Sequence, residues 1–188
     1  MALRFAALET WIATRDDFVG RGVLLAYLAY GGVRHCLDPM YRTWFGGLTL
    51  AFHEIGHIVF LPLGRTMTIA GGSIFQLLVP LAAALYLWRK QDDWFGAAVG
   101  AGWLAFAMFE LATYVGDASR EQLPLVGFGG GYHHDWATLL TQWHLLNACD
   151  TIATFVRVLA FFTWLAAVSF GGYLVYRIAR RRRRSRAP

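Results

Sequence analysis

Charged residues are scarce in this sequence of 188 residues, because Asp, Glu, Lys and Arg make up 15% of the chain and hydrophobic residues 57%. Soluble domains carry about 25% charged residues. A water-soluble fold of this size could not bury so much apolar surface, so the composition predicts a protein that is dissolved in a bilayer. The mean hydropathy of +0.42 agrees with this prediction.

The chain also lacks the features of several other classes of protein. Its two cysteines are Cys36 and Cys149; the topology predicted below places them on opposite sides of the membrane, so both thiols are expected to be free. No cleavable signal peptide is evident, because Asp16 and Asp17 interrupt an N-terminus without a long apolar core. No internal repeat or low-complexity linker occurs, and the length fits one domain.

The net charge of +5 is concentrated near the C-terminus, where seven arginines lie among the last twelve residues. A basic cluster directly after an apolar run is typical of a cytoplasmic tail held by anionic lipid. This position favours the membrane surface over nucleic acid, so no nucleic-acid partner is expected. We divide the chain into one membrane-embedded domain, residues 1–176, and a basic cytoplasmic tail, residues 177–188.

Apolar runs and helix breakers predict an all-α, polytopic membrane helix bundle. About five transmembrane helices are expected after a short interfacial helix within residues 1–17. The predicted spans are 18–34, 43–61, 67–88, 94–115 and 152–176. Between the last two spans, a segment rich in glycine around 127–131 precedes an amphipathic helix over about 136–148.

The positions of Lys and Arg predict the orientation of the bundle. Counting back through five spans from a cytoplasmic tail places four further cations inside: Arg34, Arg42, Arg89 and Lys90. The cations placed outside are Arg4, Arg15, Arg21, Arg65 and Arg120, while Arg157 lies within the last span. The segment 116–151 then lies on the outer side, towards which the second span runs.

The sequence His53-Glu54-Ile55-Gly56-His57, within the second predicted span, matches the His-Glu-x-x-His motif of zinc hydrolases. On a helix, His53 and His57 lie on one face one turn apart, where their imidazoles can share a zinc ion. Glu54 lies beside that face and can take a proton from water that the zinc activates. A purely structural polar cluster between helices is the alternative, but ionisable groups within a span are usually functional.

A zinc-hydrolase site needs a third protein ligand. The candidates in the sequence are Asp135, Glu110, His134, Asp117 and Asp150. We favour Asp135, because the glycines before it allow the backbone to enter a cavity and a carboxylate offsets the charge of the ion. Glu110, an isolated carboxylate within a span, is the main alternative. His134 could support or replace Asp135, whereas Asp117 and Asp150 could simply cap helix ends.

A membrane-embedded His-Glu-x-Gly-His helix, followed by Gly71-Gly72-Ser73, Gln76 and further spans, resembles the site-2 protease family of intramembrane zinc metalloproteases. The resemblance covers roughly residues 44–150. It implies that the two motif histidines bind zinc and that the motif glutamate is the general base. It also implies that Gly71, Gly72 and Gln76 belong to a segment that contacts the substrate.

The chain departs from this family at the third ligand. The family takes that ligand from an Asp-Gly within an Asn-Pro-rich motif, which this sequence lacks. The nearest counterpart here is His134-Asp135-Trp136, and Trp136 is expected to anchor the segment at the membrane interface.

The expected function is therefore that of an intramembrane zinc metalloprotease acting on membrane-protein substrates. It is expected in a bacterial cytoplasmic membrane, as a multi-pass protein with a cytoplasmic C-terminus. Two other functions remain open at this point. A zinc-dependent membrane hydrolase of lipid amides or esters would use the same metal chemistry. A non-enzymatic metal-binding membrane protein, such as a transporter or a chaperone subunit, would use Glu54 as a ligand or a structural group.

Overall fold

The structure, a computed structural model, describes residues 2–124 and 134–185, without the side chains of residues 2–5. The described residues form helices and no strands. The helices are α1 Ala2–Ala13, α2 Val19–Leu37, α3 Phe45–Phe60, α4 Arg65–Lys90, α5 Trp94–Asp117, α6 Asp135–Gln142 and α7 Cys149–Arg184. Short 3-10 turns, Leu61–Leu63 and Leu146–Ala148, precede α4 and α7. The glycine-rich stretch 127–131 lies outside the described residues.

Among the described residues, four helical segments are long and apolar enough to cross a membrane. They are Phe45–Leu63, Arg65–Lys90, Trp94–Asp117 and Leu146–Arg184. The prediction of a helical membrane bundle is confirmed to this extent. The predicted first span, α2, is not among the four, since Arg21, Arg34 and His35 reduce its hydropathy. The crossing of α2 and the interfacial position of α1 stay predictions.

The helices run between two ends of the bundle. The tail end holds the start of α2, the turn from α4 to α5 and the arginines of α7 from Arg177 to Arg184. The loop end holds residues 118–124, α6 and the start of α7. Close contacts give the helix directions. A Cβ on Gly31 of α2 would lie 2.8 Å from Phe106 of α5, and one on Gly116 of α5 would lie 3.3 Å from Ala153 of α7. Together with the contact of Leu25 with Gly171, they make α2 and α5 parallel and α7 antiparallel to both.

Residues 38–44 turn back along α2 instead of leading to the opposite end. The Tyr41 ring packs edge-on against Tyr30 at 6.3 Å between centroids. The backbone N–H of Trp44 donates to the Tyr27 hydroxyl at 3.0 Å. As a result, α3 starts about halfway along α2 and runs in the same direction. The expectation that these two consecutive helices run in opposite directions is wrong.

This reversal corrects the predicted positions of several cations. Arg15 lies at the tail end, where its carbonyl oxygen accepts from Arg181 at 2.7 Å. Arg21, in the first turn of α2, lies at the same end, and Arg34 lies at the loop end. The predicted separation of the cysteines is also wrong, because Cys36 and Cys149 both lie at the loop end; both are free thiols.

The basic tail is not a separate element. Helix α7 continues without a break through Arg184, so the predicted boundary after residue 176 falls inside it. Arg177 donates to the Glu9 carboxylate at 2.7 Å and attaches α1 to α7. Trp11 and Ile12 of α1 are buried against α5 and α7.

Candidate metal centre

The antiparallel pair α3 and α4 approach each other through glycines. A Cβ on Gly56 would lie 2.3 Å from the Gly71 carbonyl oxygen, and a Cβ on Gly72 would lie 2.7 Å from the Nε2 atoms of both His53 and His57. No real Cβ fits at such distances, so glycine is required for this approach. Gly71 and Gly72 let α3 and its two imidazoles lie directly against α4. That they also contact a substrate stays a prediction.

Both imidazoles are held by their Nδ1 atoms. His53 Nδ1 donates to Gln76 Oε1 at 2.7 Å, and the Gln76 amide is fixed in turn because its Nε2 donates to the Ala107 carbonyl at 3.2 Å. His57 Nδ1 donates to the Thr68 carbonyl at 2.9 Å. Histidines that bind metals normally donate their other ring N–H in this way. Each Nε2 atom is therefore left with a lone pair.

The carboxylate of Asp135 lies against both of these lone pairs. Its Oδ2 atom is 3.0 Å from His53 Nε2 and 3.3 Å from His57 Nε2. Tetrahedral zinc with ligands at about 2.0–2.1 Å separates neighbouring ligand atoms by about 3.3 Å. The structure thus brings Asp135, the favoured third ligand, to the two histidines at distances that fit a shared zinc ion and that also fit hydrogen bonds.

In the tautomer with both Nδ1 atoms protonated and both Nε2 atoms bare, these three atoms are all acceptors. Burial raises the pKa of the Asp135 carboxyl, but the neighbouring His53 and His57 rings lower it further, to about 2, so the group is a carboxylate. Two ring lone pairs and a carboxylate oxygen repel one another unless a proton or a metal cation lies among them. The donor set, two imidazoles and one carboxylate, fits Zn²⁺.

The Glu54 carboxylate completes the centre. Its oxygen and one nitrogen from each histidine lie within 4.8 Å of one another. Glu54 also lines a cavity of about 140 Å³ together with His53, Gln76, Glu110 and Tyr114. We call this cavity the cleft. The non-helical segment 39–42 also lines it.

Helix α6 carries Asp135 into the bundle. His134 caps this helix, since its Nδ1 accepts from the Ala137 N–H at 3.2 Å, and the Asp135 N–H donates to the Tyr114 hydroxyl at 2.9 Å. The Trp136 indole donates to Ser73 Oγ at 3.0 Å. Trp136 is thus bonded to α4, and the prediction that it anchors the segment at the membrane interface stays a prediction.

His134, an alternative ligand in the sequence analysis, has a different role. Its ring stacks on Tyr114 at 4.3 Å between centroids, and its Nε2 faces Asp117 Oδ2 at 3.5 Å. Burial lowers the pKa of His134, which favours the neutral ring that its capping hydrogen bond requires. His134 therefore holds the start of α6, and with it Asp135.

The two remaining aspartates are engaged elsewhere. Asp117 accepts from the backbone N–H groups of Gln122 and Leu123 at 3.1 and 2.9 Å, so it holds the loop after α5. Asp150 pairs with Arg120 at 2.9 Å, and the residue that precedes α7 is Ala148. Among the ion pairs of the described residues, neither carboxylate is paired with His53 or His57.

Glu110 lines the cleft on the side of α5. Its Oε1 atom is buried and has no hydrogen-bond partner among the described residues. A Cβ on Gly46 would lie 2.9 Å from this atom, so the start of α3 is close. The structure places Glu110 beside the cleft and Asp135, rather than Glu110, against the histidines.

Two residues that orient the centre were missed from the sequence. Thr68 acts through its carbonyl oxygen, and a backbone group carries no residue-type signal. Tyr114 binds the Asp135 backbone; its position one turn after Glu110, on a helix that enters the site, was the available signal. Gln76 was singled out, but as a substrate contact and not as the partner of His53.

No protein-family model, no curated protein and no solved structure matches this chain. The resemblance to site-2 proteases therefore depends on the motif residues alone.

Proposed function

We propose that this protein is an intramembrane zinc metalloprotease that hydrolyses peptide bonds of membrane proteins, in the manner of the site-2 proteases that its motif resembles. The observation that supports it most is the convergence of His53 Nε2, His57 Nε2 and Asp135 Oδ2 beside Glu54 at the wall of a cleft. A structural polar cluster would be held by ring N–H groups that donate to Asp135, whereas both ring Nδ1 atoms have partners on α4 already. Such a cluster would have no need of a carboxylate beside the histidines that faces open space.

Each residue of the centre has a defined role in this proposal. His53, His57 and Asp135 hold the zinc, and Gln76 and the Thr68 carbonyl fix the two rings. Bound Zn²⁺ would polarise the scissile carbonyl and make water more acidic. Glu54 takes the proton from the attacking water and delivers it to the nitrogen of the leaving amine.

The cleft supports a peptide substrate. Residues 39–42 form one wall in a non-helical conformation, and irregular backbone at membrane depth is tolerated where it lines a cavity. A transmembrane helix has its carbonyls in internal hydrogen bonds. The substrate must therefore unwind locally before one carbonyl reaches the centre, and the cleft provides space beside Glu54 for such a segment.

The test uses purified full-length protein in detergent with two probes, a synthetic transmembrane peptide and a fatty-acid amide. Zinc-dependent cleavage of the peptide, lost in Glu54→Gln, is expected. Cleavage of the amide alone would replace the protease with a lipid hydrolase. Retained zinc with no hydrolysis of either probe would favour a non-enzymatic metal-binding protein.

A further inference from the structure

Arg157 is a cation of α7 that this proposed function does not use. It is half-buried, and its guanidinium donates to Thr113 Oγ1 at 3.4 Å. None of the ion pairs among the described residues includes Arg157. Residues 125–133, outside the described part, contain no Asp or Glu. No carboxylate of the described residues therefore pairs with this guanidinium, which is available to bind an anion from another molecule.

The guanidinium faces a second cavity, of about 290 Å³, which we call the Arg157 cavity. Its other charged lining residues are already satisfied. Arg120 is paired with Asp150 at 2.9 Å, and Asp117 accepts two backbone N–H groups. Of the two guanidiniums in the lining, Arg157 is therefore the one without a carboxylate in an ion pair among the described residues, while the two guanidiniums and two carboxylates together give the lining no net formal charge.

The depth of Arg157 indicates which anion is available there. The next charged residue along α7 is Arg177, and residues 158–176 contain no Asp, Glu, Lys or Arg. This interval rises about 30 Å along a helix, which is the thickness of the hydrocarbon core of a bilayer, about 30 Å. With Arg177 at one boundary of the hydrocarbon, Arg157 lies at the other, at the level of the lipid phosphates.

Exposed apolar side chains extend from the cavity along the outer surface of the bundle, in the direction of the tail end. Phe161 lies one turn further along the same face of α7, and Val158 lies beside it; both are exposed. On α2, Val33 and Leu37 are also exposed. These surfaces are suited to acyl chains, whereas free anions in water would gain nothing from them.

We propose that the Arg157 cavity binds the phosphodiester group of a membrane phospholipid, with the acyl chains along α2 and α7. The planar guanidinium matches two phosphate oxygens in a forked arrangement. The Arg157 cavity shares one wall with the cleft, and this wall is formed by Met40, Thr113 and Leu123. The bound lipid therefore occupies the space next to the cleft without entering it, and the proposal is independent of the hydrolase function.

The test compares Arg157→Gln, Arg157→Lys and wild-type protein in nanodiscs of phosphatidylcholine and of a phosphate-free galactolipid. Wild-type protein is expected to have a higher Tm in phosphatidylcholine than in galactolipid, and Arg157→Gln to lose this difference. In galactolipid, Arg157→Gln should be at least as stable as wild type, because it removes an unpaired charge. Phosphatidylcholine titrated into the galactolipid discs should bind about tenfold more weakly to Arg157→Gln, with Arg157→Lys in between.

Arg65→Gln is the matched control, since Arg65 is an exposed cation at the same end of the bundle, and it should behave like wild type. If inorganic phosphate raises the Tm of wild type in galactolipid as much as phosphatidylcholine does, the site takes free phosphate and the lipid is not the ligand. Equal dependence on phosphatidylcholine in wild type and Arg157→Gln would overturn the site itself. Instability of Arg157→Gln in galactolipid would also overturn it, because the arginine would then be structural.

Discussion

The residues of the candidate centre differ in what each contributes to metal binding. In the proposed function, His53, His57 and Asp135 would supply the ligand atoms, and Gln76 would orient the His53 ring. We expect zinc to be lost in His53→Ala, His57→Ala and Asp135→Ala, measured as zinc per protein after dialysis. Gln76→Leu should retain a weaker site, because removal of such an orienting partner typically lowers metal affinity by about 10- to 100-fold.

Glu110 provides the control for this series, because it lines the cleft and is not paired with His53 or His57. Glu110→Ala should bind zinc like wild type, since Oδ2 of Asp135, and not Glu110, lies 3.0 and 3.3 Å from the ring nitrogens. Loss of zinc in Glu110→Ala together with full zinc in Asp135→Ala would show that the site is built from α5 instead.

Glu54 is expected to act on the reaction and not on metal binding. Glu54→Gln should keep the fold and the zinc but lower the rate of peptide hydrolysis by about 10²-fold or more, because general-base catalysis typically contributes about 10²- to 10⁴-fold. The measurement is initial rate and zinc content on the same preparation. Wild-type rates would remove Glu54 from the mechanism, and loss of zinc would make it a ligand.

Among single residues, the sequence predicted those that belong to a motif with a fixed spacing along the chain. His53, Glu54 and His57 follow from one motif on one helix, and Asp135 followed from the glycines before it. The Thr68 carbonyl and the Tyr114 hydroxyl could not be predicted, because their roles depend on how α4 and α5 face α3. The same holds for Gln76, whose amide direction is set by Ala107 of α5.

At the scale of helices, the centre depends on the close approach of α3 and α4. Gly72→Ala places a methyl group 2.7 Å from both histidine Nε2 atoms, so we expect loss of zinc binding and a destabilisation of about 1–3 kcal/mol from overpacking. Zinc content and thermal unfolding would measure the two effects.

Gly47 provides the matched control, since a Cβ there would meet nothing within 4 Å. Gly47→Ala should bind zinc normally and should be neutral or more stable by up to about 1 kcal/mol, because alanine favours a helix interior over glycine. Equal zinc affinity in the two variants would mean that α3 and α4 are further apart than described.

The sequence predicted the lengths of the helices better than their directions. The span predicted over 94–115 is Trp94–Asp117 in the structure, and the span predicted over 67–88 is Arg65–Lys90. Apolar runs and breakers mark such limits directly. The direction of α2 relative to α3 depends on the path of residues 38–44. Asp38-Pro39 predicts that a helix ends there, but it does not predict whether the chain then continues on the same side of the membrane or turns back along α2.

For the whole molecule, this path changes the predicted topology. The tail end now holds Arg15, Arg21, Arg89 and Lys90 in addition to the arginines of α7 from Arg177 to Arg184, whereas the loop end holds Arg34, Arg65 and Arg120. Arg42, which the sequence count placed inside, lies at neither end but beside Gly46 at the start of α3. The excess of cations at the tail end is larger than in the count from the sequence alone, and cations favour the cytoplasmic side. We therefore expect the tail end in the cytoplasm and the metal centre towards the opposite side.

The last prediction follows from this orientation: both termini lie in the cytoplasm, and Cys36 faces the other side. Topology reporters fused at residue 1 and residue 188 should both give cytoplasmic signals. Cys36 is exposed and Cys149 is buried, so a membrane-impermeant maleimide should label Cys36 alone, from outside intact cells, and Cys36→Ser should abolish the labelling. The strict alternation of spans predicts the reverse, with Cys36 on the cytoplasmic side and the N-terminus outside. The contrary result would be that Cys36 is labelled only after the cells are opened and that the two reporters lie on opposite sides of the membrane. That result would support strict alternation and show that residues 38–44 do not turn back along α2.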